Sequence, residues 1–245
     1  AALDRDRVEI GVLSLQPSLG VEALARAERE ELELAWLDGI REIVRNGGGR
    51  YLALAPWRVD PGTAGTSVGA SALLSEHGAD VLAEVDAVAG LLFVHPEAEG
   101  PLPAGRPEWW QWTAGYAGQM QRAYLAWLGG LRDRYPRIKV VFAMLAGGGP
   151  IHHERLIHRG VNVRESPDLD TVFDTSSYGR KAIELCIETF GIERLVYGSD
   201  TPVIDPTPTL RAVHSLGDSV SRFLQSDTPE RLIGQHPRSR RPAEP

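Results

Sequence analysis

The sequence predicts an α/β fold built on a parallel sheet covered by helices. Three observations support this. Apolar runs of strand length alternate with helix-type periodicity from end to end. The chain of 245 residues shows no compositional break or internal repeat that would divide it. Carboxylates, imidazoles and prolines follow the strand-type runs, where parallel α/β folds carry their chemistry.

The elements follow in order. Glu9–Leu15 reads as a first strand and Leu24–Gly49 as a helix with Leu32, Trp36, Leu37, Ile40, Ile43 and Val44 on one face. Gly47–Gly49 ends that helix, and a second strand starts at Arg50. A third strand is expected from Ser67 through Leu74, a helix from Val81, and a fourth strand over Gly90–Pro96. A Pro- and Trp-rich loop, Glu97–Thr113, precedes a long helix from Gly118 to Tyr135, whose buried stripe is Met120, Tyr124, Trp127, Leu128 and Leu131. The fifth strand begins at Ile138. A Gly-rich loop and Pro150 lead into the helix Ile151–Gly160. Asp168–Thr175 and Arg194–Asp200 are the sixth and seventh strands. Between them lies a helix with Ala182, Leu185, Cys186 and Thr189 on one side. Helices from Thr209 and at Thr228–Gly234 close the chain. Seven strands fit either an open doubly wound sheet or a (β/α)8 TIM barrel short of its first strand. We expect one domain over residues 1–236 and a disordered Arg-rich tail over 237–245.

Composition narrows the function. Apolar residues make up 42% and charged residues 24%, with net charge −7 and no basic face, which argues against nucleic acid. A single cysteine, Cys186, excludes a disulfide framework and a Cys-rich zinc site. No apolar run reaches the roughly 20 residues needed to span a bilayer, and the charged start does not read as a signal peptide. The cytoplasm is the expected location.

The strand ends offer Trp57 and Arg58 after the second strand and His95 after the fourth. Met144 lies near the end of the fifth, Asp174 after the sixth and Asp200 after the seventh. His95 and Asp200 are ligand types that suit a divalent ion. Each also has an ordinary structural reading, as a hydrogen-bonded histidine or a turn-bracing aspartate. Trp57 and Arg58 could form an aromatic, anion-accepting pocket or lie on a surface loop. His152 and His153 are adjacent on a helix and point about 100° apart, so they do not both face one ion.

Together, "LLFVHP", "KVVFAMLAGGGP", "VYGSDTP" and "SDTPERLIG" resemble the amidohydrolase-related family, in the branch of the aminocarboxymuconate semialdehyde decarboxylase-like enzymes. The resemblance implies a metal-dependent (β/α)8 barrel. It implies that His95 and Asp200 ligate the metal and that Asp200 also serves as the catalytic base. Zinc is the first expectation and manganese the second. Trp57 and Arg58 are the candidate substrate-binding residues, for a small carboxylate. The implied activity is hydrolysis or aromatic-acid decarboxylation, and a dimer built through Trp109, Trp110 and Trp112 is the expected assembly. Two departures stand out. The family's opening His-x-His pair does not occur in this sequence, and Met144 replaces a family histidine. A thioether cannot carry a proton at neutral pH. These departures support an alternative: a barrel without its metal, acting as a ligand-binding or structural subunit.

Overall fold

The computed structural model describes residues 2–6, 8–16, 19–98, 100, 104–163 and 168–234. The expected tail, 237–245, lies outside the described residues. Seven strands are described: β1 (Gly11–Leu13), β2 (Tyr51–Pro56), β3 (Gly65–Gly69), β4 (Leu91–His95), β5 (Lys139–Phe142), β6 (Thr171–Asp174) and β7 (Leu195–Val196). They pair in chain order, all parallel, as in a (β/α)8 barrel. The described residues show no pairing between β1 and β7.

A helical turn, α1 (Ala2–Arg5), precedes β1, and Leu3 lies over Gly11. The helices that follow are α2 (Arg26–Asn46), α3 (Glu76–Ala87), α4 (Tyr116–Ala126), α5 (Arg132–Arg134) and α6 (Leu145–His158). After β6 come α7 (Arg180–Phe190), α8 (Thr207–Ser215), α9 (Asp218–Arg222) and α10 (Thr228–Ile233).

The sheet has two apolar faces, because successive side chains along a strand point to opposite sides. Val68, Leu92, Val94, Val140, Phe142, Phe173 and Leu195 pack outward with the buried faces of the helices. Leu54, Leu91, Val141 and Val172 form the inner cluster, with Leu232 of α10 against them. Lys139 donates from Nζ to the carbonyls of Arg231 and Leu232, which holds α10 at the end where β5 begins. Trp127 is fully buried and donates to Thr171 Oγ1 at 2.9 Å, so its indole N–H is satisfied inside the core.

Several expected boundaries move. The first strand shortens to Gly11–Leu13, and Ala70–Leu74 is a 3-10 turn rather than strand. The α3 helix begins five residues before Val81, because Ser75 caps it by accepting from the Gly78 N–H. The face of α2 also differs. Glu33, Leu37 and Ile40 are buried, whereas Leu32 and Ile43 are about half exposed. On α7 the buried residues are Ile183, Cys186 and Phe190, and Leu185 is exposed. The long helix breaks into α4 and α5 around a π turn at Trp127–Leu131, where Gly130 takes φ 144°. Trp109 and Trp112 are exposed at its start.

Gly78 is required by contact, since a Cβ there would lie 1.8 Å from the Ala72 carbonyl oxygen. Gly39, within α2, has open space around it. Gly78→Ala should therefore cost about 1–3 kcal/mol. Gly39→Ala should stabilise by about 0.5–1 kcal/mol. Urea unfolding of both variants checks this pair of opposite signs.

Candidate functional site

Alternation along the strands sets which strand-end groups face inward. His95 follows Leu91 and Phe93 on the inner face of β4, and its register partner on β3 is Gly69. Asp174 follows Val172 on the inner face of β6. Both therefore reach the same end of the sheet, where the strands terminate.

Asp174 is buried and braces this end. Its carboxylate accepts from the Ser176 N–H at 2.7 Å and from the Ser176 hydroxyl. It also accepts from the backbone N–H of Met144, after β5. Gly198, after β7, packs on it so closely that a Cβ would sit 2.6 Å from the carboxylate oxygens. One side chain thus ties together the ends of three strands. Burial raises its pKa against the lowering effect of these hydrogen bonds.

Asp200 is not the last residue of a strand, as the sequence suggested. β7 ends at Val196, and Asp200 stands in the following turn at φ 51°. The amides of Val203 and Ile204 donate to its backbone carbonyl, which closes the turn. The strand stops early because Tyr197 N–H turns to the Leu224 carbonyl and Gly198 abuts Asp174. Burial, then the neighbouring Asp174 carboxylate, pushes the Asp200 pKa up to about 6. Two carboxylates in one partly desolvated site resist simultaneous ionisation.

His95 keeps a neutral ring. Burial lowers its pKa, and the contact of Nδ1 with the Pro96 carbonyl oxygen at 2.8 Å only partly opposes this. A carbonyl can only accept, so Nδ1 carries the proton and Nε2 presents its lone pair. The rim beside His95 is held by Glu97, which accepts from the Ser71 N–H and hydroxyl. A side chain at Gly69 would collide with the Glu97 carboxylate, which explains the glycine there.

Met144 opens a run of five residues in the left-handed region, with φ between 48° and 95° through Gly148. Three of the five are not glycine, and such strain persists only where the surroundings impose it. Here Asp174 holds the first amide, and Gln121 donates to the Gly147 carbonyl at 2.7 Å. Gly147 lies against the Ala117 carbonyl, leaving no space for a Cβ. The expected Gly-rich loop is this left-handed turn, which takes up the first residues of α6, Leu145 to Gly148, before its right-handed turns begin.

The expected ion ligands are of the right type, but the described residues do not complete a set. Neither His95 nor Asp200 is among the groups that perturb the other. Among the described residues no three His, Cys, Asp or Glu side chains gather to hold an ion. His153 packs edge-on against Phe190, in a structural setting.

Trp57 and Arg58 belong to a different place. They line a cavity of about 460 Å³ between α2 and α3, which none of His95, Met144, Asp174 or Asp200 lines. Trp57 stacks on His77, and Arg58 reaches Glu33 at 3.3 Å. The sequence reading missed Arg29, Glu33 and His77 in this cavity region, and it left the bracing role of Asp174 unread. The Asp174-x-Ser176 spacing, typical of a side chain that bonds its own backbone two residues on, was the available signal.

No helix among the described residues is long and apolar enough to cross a membrane. The chain superimposes on 5-carboxyvanillate decarboxylase LigW from Sphingomonas paucimobilis with a TM-score of 0.74 at 17% identity, over 94% of this chain and 80% of that one. For 2,6-dihydroxybenzoate decarboxylase from Rhizobium the TM-score is 0.76 at 19% identity, over 94% and 85%. For a dihydroxybenzoic acid decarboxylase from Polaromonas sp. JS666, crystallised with manganese and 2-nitroresorcinol, it is 0.74 at 17% identity, over 95% and 83%. At these identities the likeness establishes the fold. No curated protein matches the chain in sequence. The amidohydrolase family model matches residues 6–234, nearly the whole chain, and the protein belongs to that family.

Proposed function

We propose that the protein is an enzyme acting on a small carboxylate, decarboxylating an aromatic acid or hydrolysing a related bond. The observation that carries this reading is Asp200, a partly buried carboxylate whose pKa is raised to about 6 beside Asp174. A group that titrates near neutral pH can both release and take up a proton during turnover. Family membership and the fold shared with aromatic-acid decarboxylases support the same chemistry.

In decarboxylation the ring–carboxyl bond breaks and CO2 leaves, so the ring carbon must gain a proton. Asp200 is the group proposed to deliver it, and it is then recharged from water. In hydrolysis the same side chain would take a proton from the attacking water. Met144 has no proton to offer, so this work falls on Asp200 with the neutral ring of His95 beside the strand ends. The reading includes a divalent ion, zinc or manganese, with His95 Nε2 and Asp200 as two of its ligands. A bound ion would supply Lewis-acid polarisation. Manganese in the Polaromonas decarboxylase supports an ion of this class. A soluble cytoplasmic enzyme working as a dimer completes the proposal.

The test is CO2 release from a panel of hydroxybenzoates and ester cleavage by the full chain, with zinc and manganese measured in the purified protein. Turnover of at least one compound is expected, reduced about 10²–10⁴-fold in Asp200→Asn. Bound ion should fall in His95→Ala. An inactive wild type across the panel, or full activity in Asp200→Asn, would overturn the reading.

A stability prediction follows from the same carboxylate. Because its folded pKa is raised, Asp200 favours the folded state most below about pH 4, its unfolded range, and this contribution is lost as the pH rises through about 6. Asparagine tolerates the left-handed backbone and carries no charge. In the metal-free protein, Asp200→Asn should therefore be more stable than wild type at pH 8, by about 1 kcal/mol after allowance for solvent access. The gap should close near pH 4, as thermal melts at the two pH values would show.

A further inference from the structure

The loop that follows His95 is held from α4 by a single side chain. We propose that this residue, Gln119, is a positioning residue that sets which ring nitrogen of His95 is left free. The inference rests on the proposed function for the use made of that nitrogen, and on the geometry alone for its control.

Gln119 pairs with the backbone of Glu97 through both ends of its amide. Its Oε1 accepts from the Glu97 N–H at 2.7 Å, and its Nε2 donates to the Glu97 carbonyl at 3.2 Å. The Glu97 N–H and the Pro96 carbonyl belong to one peptide unit, and that unit is planar and trans. Its two polar groups point in opposite directions, so an acceptor held on the N–H fixes where the carbonyl points. That carbonyl oxygen is the one 2.8 Å from His95 Nδ1. Gln119 therefore reaches the imidazole through a single peptide plane. With the carbonyl in place the proton stays on Nδ1 and the lone pair on Nε2. If the carbonyl turned away, nothing on this path would keep the proton off Nε2. A protonated Nε2 neither ligates an ion nor accepts a proton.

The helix that carries Gln119 is itself anchored. Met120, Ala123 and Tyr124 are the buried face of α4. Two residues beyond Gln119, Gln121 donates to the Gly147 carbonyl after β5. Residues two apart on a helix point about 200° apart. One glutamine therefore grips the loop after β4 and the other the loop after β5. The Glu97 carboxylate is held separately, by the Ser71 N–H and hydroxyl after β3. That contact fixes the side chain, whereas the peptide plane answers to Gln119.

The test reads the ring nitrogens of His95 directly, by proton–nitrogen correlation on the metal-free full chain labelled with 15N-histidine, at about pH 8, where the unperturbed ring is neutral. The signals lost in His95→Gln assign the ring. Wild type should show Nδ1 protonated and Nε2 unprotonated. In Gln119→Leu the Nε2 signal should shift toward the protonated position. Ser71→Ala frees the Glu97 carboxylate but leaves Gln119 paired, so it should keep the wild-type pattern. A wild-type ring protonated on Nε2 would overturn the proposal, and that outcome needs no variant to fold. So would an unchanged ring in Gln119→Leu, or an equal shift in Ser71→Ala. None of these readings requires turnover, so they stand whether or not the hydroxybenzoate panel finds a substrate.

Discussion

The Asp174 carboxylate is the contact on which the reactive end of the sheet depends. Its donors come from Ser176 on its own loop and from Met144 after β5, and its flank is closed by Gly198 after β7. A parallel sheet fixes strand spacing but not the paths of the loops that leave it. The buried carboxylate fixes them here, because any displacement would strand it without partners. The positions of Met144 and of the Asp200 turn follow from that.

The same brace has an electrostatic consequence. Burial makes Asp200 harder to ionise, and the buried Asp174 carboxylate nearby adds to this, which brings its pKa up to about 6. The left-handed turn from Met144 to Gly148 is a further cost accepted at the same end. Strain and a raised carboxylate pKa both oppose stability. They concentrate where the chain would do chemistry, while the outward apolar cluster and the plug at Leu232 hold the rest of the sheet.

Much of this was legible in the sequence. The seven apolar runs were readable as strands because parallel strands are covered on both faces and carry continuous apolar residues. Their limits were less so. Apolar periodicity says nothing about Ala70–Leu74 curling into a 3-10 turn, or about β7 stopping at Val196 when Tyr197 bonds to Leu224. His95 and Asp200 were singled out because each follows an apolar run. Their relation to Asp174 was not, since it depends on the register of β4 to β7. Trp57 and Arg58 were singled out as strand-end residues, and the structure places them in a cavity between α2 and α3, away from His95 and Asp200. Their partner Glu33 lies on the buried face of α2, four and seven residues before Leu37 and Ile40, and a charged residue in that stripe reads as surface.

The most direct measurement is amide hydrogen exchange on the Asp174→Ala protein compared with wild type. If the carboxylate organises the three strand ends, protection falls at Met144–Gly148 and from Thr175 to Ser176 and Tyr197 to Ile204, while β2, β3 and β4 exchange as before. Unchanged protection in those segments, or an even loss across all strands, would contradict the account.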